Sequence, residues 1–175
     1  MKLLLHSCCG PCTTYPLHFY RAQGYSVGGL YFNPNIYPEE EEIKRWETYA
    51  DWAEKNHLPA TRINTPHDEW LGAVSQDLSK PARCKECYLF RLKEAARFAK
   101  EEGYDCFSTT LLVSPYQDHK GIIEAMGIAS RESGIPFVYN DLRRGYLRCR
   151  QMARGYHMYM QKYCGCEFSK GGERY

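Results

Sequence analysis

The chain has 175 residues, enough for one domain with a proper core, and its 23 Lys/Arg against 21 Asp/Glu leave a formal net charge of +2. A balance this even excludes a uniformly basic molecule, so any affinity for nucleic acid has to come from a local patch. No stretch approaches the ~20 apolar residues of a membrane span. The apolar part of Lys2–Leu5 is also far shorter than the roughly 7–15 residues of a secretory signal core.

The first twelve residues, Met1-Lys-Leu-Leu-Leu-His-Ser-Cys-Cys-Gly-Pro-Cys12, read as a buried strand that empties into a loop with three thiols in five positions. A turn at Gly10-Pro11 folds Cys8, Cys9 and Cys12 toward one centre. A helix is then predicted from Thr13/Thr14, with threonine as cap and Pro16 in its first turn. Residues 26–32 read as the second strand, ending in the turn formers Asn33-Pro34-Asn35-Ile36-Tyr37-Pro38. A long helix follows over 39–56, with Ile43, Trp46, Tyr49, Ala50 and Ala53 on its buried face and Glu39–Glu42 as a solvated first turn. Then come a strand over 58–63, a short helix over 68–78 and a helix over about 81–102 that opens with Cys84-Lys-Glu-Cys87. A strand over 105–113 ends in Ser114-Pro-Tyr-Gln117. A helix over 119–133, closed by Gly134, leads to a short strand over 136–139. Strands alternating with helices predict a single α/β domain over 1–175, a doubly wound and mostly parallel sheet with cysteine-rich loops at one edge.

Nine cysteines, an odd number with an adjacent pair and C-x-x-C spacings, do not match a secreted disulfide framework. The expected compartment is the cytoplasm, and the expected use of the thiols is metal or redox chemistry. Cys84 and Cys87 at a helix start converge where the dipole favours thiolate, as do the cysteines of the first loop. Cys164-Gly-Cys166 can close a strained, easily reduced disulfide or supply two further ligands. Cys106 reads as core, and Cys149, flanked by arginines, as half-buried on its helix. Four cysteines suit zinc and an iron–sulfur cluster equally well. Cys9-Gly-Pro-Cys12 also spells a thioredoxin active site, so a dithiol oxidoreductase is a competing reading, and a zinc-stabilised RNA-binding module is another. No phosphate-binding loop or dinucleotide fingerprint is present.

The segment from about 140 to 166 changes character. Between Asn140 and Tyr163 five arginines and one lysine face the single acid Asp141, with tyrosines interleaved. That is the footprint of an RNA-contacting face, with planar groups to stack on unpaired bases.

Five motifs, His6-Ser-Cys-Cys-Gly-Pro-Cys12, Phe32-Asn-Pro-Asn-Ile-Tyr-Pro38, Arg83-Cys-Lys-Glu-Cys87, Thr109-Thr-Leu-Leu-Val-Ser-Pro-Tyr-Gln117 and Tyr163-Cys-Gly-Cys166, taken together and in order, resemble the QueH family of cobalamin-independent epoxyqueuosine reductases. The one departure noted is Asp141-Leu-Arg143, where an aromatic after the aspartate is expected. The resemblance implies reduction of the epoxide of epoxyqueuosine in tRNA to the cyclopentene of queuosine. It also implies a 4Fe-4S cluster on Cys8, Cys9, Cys84 and Cys87, with Cys164 and Cys166 as a redox-active pair. Cys12 has no assigned place; with Cys164 and Cys166 it is a candidate to hold a second mononuclear iron or other metal. Tyr116, Asp118, Tyr37 and Asp141 are candidate proton donors, and Arg143, Arg144 and Arg148 candidate contacts to the tRNA backbone. The expected partners are tRNA carrying epoxyqueuosine at the wobble position and an unidentified low-potential electron donor.

Overall fold

The computed structural model describes residues 1–171. Four parallel strands form one sheet in the order β3-β2-β1-β4: β1 (Lys2–His6), β2 (Ser26–Tyr31), β3 (Ala60–Arg62) and β4 (Cys106–Thr109). Leu3, Leu4 and Leu5 of β1 are all fully buried, as a central strand covered on both faces requires. The register pairs Leu5 with Gly29 on one side and with Ser108 on the other.

The chain runs outward from β1 to β2 to β3, then returns to the far side of β1 to lay down β4. Reversing direction puts the later crossover on the opposite face, because βαβ connections are right-handed. The helices sort accordingly. On one side α1 (Gly10–Ala22) packs against α2 (Glu39–Lys55) and α6 (Tyr146–Gly155). On the other, α4 (Ala82–Glu101) packs against α3 (His67–Val74) and α5 (His119–Ser133). The doubly wound parallel sheet is therefore as expected. Its switch point lies between the carboxyl ends of β1 and β4, the crevice where open α/β sheets bind their ligands.

Several local expectations are corrected. The first helix begins at Gly10, not at the threonines: Cys9 is its N-cap, and its thiol accepts the Cys12 N–H at 3.3 Å. Thr13 and Thr14 instead turn their hydroxyls back onto the carbonyls of Cys9 and Pro11, and Pro16 lies inside the helix, past its first turn. The apolar run 105–113 is a strand only to Thr109; Thr110–Val113 close into a 3₁₀ turn whose entry is capped by the Thr109 hydroxyl. Residues 136–139 form no strand and touch the sheet through a single parallel bridge, Phe107 to Phe137. In α2 the buried face carries Arg45, while Ile43 is exposed. Nor is the acidic first turn merely solvated. Glu41 pairs with Arg45 and accepts from the Tyr159 hydroxyl, and Glu42 pairs with Arg62.

Candidate functional site

The switch point is where the thiols gather. Because the α1 N-terminus follows β1 directly, Cys8, Cys9 and Cys12 are carried around one turn, and their sulfurs all lie within 4.8 Å of one another. Cys8 Sγ accepts from the Thr110 hydroxyl at 3.2 Å, across the switch point at the end of β4. Cys9 Sγ accepts from Gln161 Nε2 at 2.7 Å. The trio shares its protons unevenly. Donation from Cys12 and Cys9, reinforced by Arg91 and Thr110, holds the Cys8 thiol well below its usual range. Burial pushes Cys9 up, and donation to Cys8 does the same for Cys12. The N-terminus of α1 favours negative charge on the sulfurs gathered there.

A second sulfur group stands beside it. Cys84 and Cys87 lie in the first two turns of α4, and Cys87 packs with Cys166, Trp70 and Val74. Burial raises the Cys87 thiol, opposed by Arg91 and by the Trp70 indole N–H. Cys164 is exposed, yet crowding by protein atoms and by the thiols of Cys87 and Cys166 pushes it up to about 12. Gln117 Nε2 donates to its sulfur at 3.6 Å. None of the nine cysteines forms a disulfide, so Cys164 and Cys166 are present as two thiols rather than as a bond. At single-ion spacing the structure thus groups Cys8 and Cys9 with Cys12, not with Cys84 and Cys87.

The loop that presents Cys164 and Cys166 is clamped by Arg45, only 2% exposed, whose Nη1 and Nη2 donate to the carbonyls of Cys164 and Tyr163 at 3.0 and 3.3 Å. Gly165 adopts φ +139, and a Cβ there would stand 3.0 Å from Ile36 and 3.2 Å from the Arg45 guanidinium. Glycine is required on both counts.

Cys8 and Cys12 of the first group and Cys164 of the second line one cavity of about 400 Å³, together with Cys149, Arg91 and Gln161. Its mouth carries Tyr116, Tyr146, Leu147, Arg150 and Lys162. Tyr116 and Tyr146 meet edge to face at 5.6 Å, and the Arg150 guanidinium lies 5.9 Å from the Tyr146 ring centre. Leu147 is 71% exposed at this rim.

The other expected residues fall as follows. Tyr116 lines the cavity, but Asp118 does not: it caps α5, accepting the Gly121 N–H at 3.1 Å. Tyr37 faces a different pocket with His67. Asp141 is held by Arg143 through paired hydrogen bonds, so Arg143 is not an unengaged cation, whereas Arg144 and Arg148 are exposed nearby. Cys106 is buried in β4, as expected of core. Cys149 is buried rather than half-buried, its thiol pushed up to about 11 by desolvation.

Sequence reasoning passed over Arg91, Trp70, Gln161 and Thr110. Arg91 was legible: four residues past Cys87 and seven past Cys84, it shares their helix face. Gln161 and Trp70 reach the site only through tertiary packing.

The donor set is therefore all sulfur, which selects soft metals or iron–sulfur clusters. The Arg91 Nε, buried, has no hydrogen-bond partner, as expected of a donor beside a group with acceptor sulfurs. The residues present fit such a group.

A parallel α/β domain with a thiol-lined cavity at its switch point has the layout of a metal- or cluster-dependent redox protein. The chain belongs to the QueH family, whose description is "Epoxyqueuosine reductase QueH" and whose model matches residues 3–171. It is 35% identical over 170 residues to the epoxyqueuosine reductase QueH of Dehalococcoides mccartyi, covering 97% of this chain and 92% of the relative. The protein of the same name from Thermotoga maritima is 33% identical, with 95% and 89% covered. Among solved structures, a predicted subunit of tRNA methyltransferase from Methanocaldococcus jannaschii superposes with a TM-score of 0.61 at 11% identity, covering 88% of this chain and 74% of that one. That likeness concerns the fold alone.

Proposed function

We propose that this chain is the reductase its family name describes, removing the epoxide oxygen of epoxyqueuosine in tRNA to leave the alkene of queuosine. The observation that carries the reading is one cavity lined by Cys8, Cys12 and Cys164 beside Tyr146, Arg150 and Lys162, in a chain of this family. The reaction takes two electrons and two protons and releases one water. Cys8, Cys9, Cys84 and Cys87 are the residues we assign to a 4Fe-4S cluster. Cys164 and Cys166 are the adjoining two-electron store, oxidised to a disulfide as they give up two electrons and two protons. Cys12 is left to help hold a second ion. When bound, the metal groups supply electrons singly and polarise the epoxide oxygen.

The protein's own groups do the rest. Tyr146 and Arg150 offer planes on which an extruded base can stack, with Tyr116 packed edge to face against Tyr146. Cys164 holds its proton at neutral pH and lies at the cavity wall beside Gln117, so it is the proton source we assign, with Tyr116 the second candidate.

The test is anaerobic purification followed by iron, sulfide and zinc analysis and an assay on tRNA carrying epoxyqueuosine. Iron and sulfide near four each, with queuosine formed under a low-potential reductant, supports the reading. Zinc alone with no turnover replaces it with a zinc-stabilised RNA-binding module. A metal-free protein whose activity needs only Cys9 and Cys12 replaces it with a dithiol oxidoreductase.

A further inference from the structure

Arg91 is anomalous on elementary grounds. It is only 2% exposed, and burying a charge is strongly unfavourable unless a counter-charge sits nearby. Yet no carboxylate pairs with it among the described residues. Nη2 donates to the neutral Asn33 Oδ1, and Nε has no hydrogen-bond partner at all. Asn33 is itself fixed, its Nδ2 donating to the Ser7 carbonyl at 2.9 Å. The guanidinium is thereby anchored between the loop after β1 and the helix that carries Cys84 and Cys87. It also forms part of the cavity wall with Cys8, Cys12 and Cys164. The other titratable side chain near it on β1, His6, is buried and engaged by Thr109 and the Phe32 carbonyl, so it supplies no negative charge. Among the described residues, its charge acts on three sulfurs able to carry one, Cys8, Cys87 and Cys164.

We propose that Arg91 is the fixed counter-charge of the thiolate-held redox group, set between the two sulfur groups to raise the potential at which that group accepts an electron. This rests on the iron–sulfur reading above. A cluster held by four thiolates is anionic, and each electron it accepts adds a further negative charge. A buried cation nearby stabilises the reduced form more than the oxidised one, and net local charge is among the determinants of cluster potential. A low dielectric around the guanidinium makes the effect larger than at a surface. Arg91 is a positioning residue of charge: it breaks no bond and gives up no proton.

The experiment is a redox titration of the anaerobically purified holoprotein, poised with dithionite and mediators and followed by the cluster's electron-paramagnetic-resonance signal. Wild type is compared with Arg91→Lys, Arg91→Gln and Arg91→Met, with iron and sulfide measured on each. The two neutral variants should become at least tenfold harder to reduce, a negative shift of about 59 mV for one electron, while the lysine variant stays near wild type. A full cluster with an unshifted potential in the neutral variants overturns the assignment alone. Should those variants assemble no cluster, Asn33→Asp decides, because a carboxylate opposite Arg91 cancels its charge without removing it. A negative shift there supports the role, and an unchanged potential overturns it. Wild-type protein lacking iron and sulfide overturns the iron–sulfur reading and this inference with it.

Discussion

At the scale of single residues, the site uses side chains for properties that their neighbours elsewhere in the chain do not share. Cys8 and Cys106 are both cysteines at the ends of the same sheet, but only Cys8 sits beyond the strand's carboxyl end, where Cys12, Cys9 and Thr110 donate to it. Cys106 lies inside β4, touching the Lys2 carbonyl and apolar side chains. Cys106→Ala should therefore cost about 1 kcal/mol of stability through lost packing, with iron content and turnover per folded chain unchanged. Denaturant unfolding beside metal analysis separates the two quantities. Gly165 is the opposite case, a residue with no side chain that sets the backbone between Cys164 and Cys166. Its backbone conformation is one that side-chain-bearing residues avoid, at about 1–3 kcal/mol. A Cβ would also press on Ile36 and Arg45. Gly165→Ala should lose at least that much stability, seen as a lower thermal midpoint, and should raise the rate at which Cys164 and Cys166 react with an alkylating agent.

At the scale of elements, α2 does more than cover the sheet. Its first turns hold Glu41 and Arg45 in a salt bridge of 2.7 Å, and Arg45 passes that order to the loop of residues 163–166. The backbone of Tyr37 joins in by donating to the Gly165 carbonyl at 3.0 Å. Removing one member of a buried pair strands the other, so Arg45→Ala should cost about 3 kcal/mol. It should also speed amide exchange at Tyr37, as the loop it bonds to loosens. The partner helix α6 is fitted as closely. Gly145, at its start, leaves room for the Tyr15 ring of α1, which would lie 2.0 Å from an added Cβ. That contact seats the basic segment against the helix that begins with the thiols. It also explains why Tyr146 and Arg150 reach the cavity mouth instead of pointing into solvent.

At the scale of the whole molecule, a net charge of +2 conceals a basic excess in the segment 140–163. Arg144 and Arg148 are exposed near the mouth, while Arg143 is occupied by Asp141. Phosphate contacts release counterions, each worth roughly 0.7–0.9 in the slope of log affinity against log salt. Replacing Arg144 and Arg148 together with alanine should weaken tRNA binding and flatten that slope by about 1.5. Arg143→Ala alone should change it less than either. Filter binding or fluorescence anisotropy across a salt series checks both, and an unaltered slope in the double variant removes these residues from the interface.

The division between what sequence and structure each decide follows from the range of the forces involved. Strand and helix identities follow from apolar periodicity, glycine stops and proline turns, which are local; so α5 ends at Gly134 where the pattern says it should. Alternation of strands and helices is local too, and it carries the parallel sheet with its thiol loops on one edge. The adjacent cysteines, the second C-x-x-C and the terminal C-x-C announce sulfur chemistry without any coordinates. What the chain alone does not disclose depends on residues a hundred positions apart. The apolar run 105–113 turns at Thr110 because its hydroxyl meets Cys8 across the switch point. The acidic turn of α2 is recruited by Arg45 and Arg62 rather than by water. The sulfurs divide into two groups, and Arg91 is buried between them without a carboxylate. Burial and electrostatic pairing are properties of the packed molecule, and a buried charge shows its purpose only when everything around it is in place.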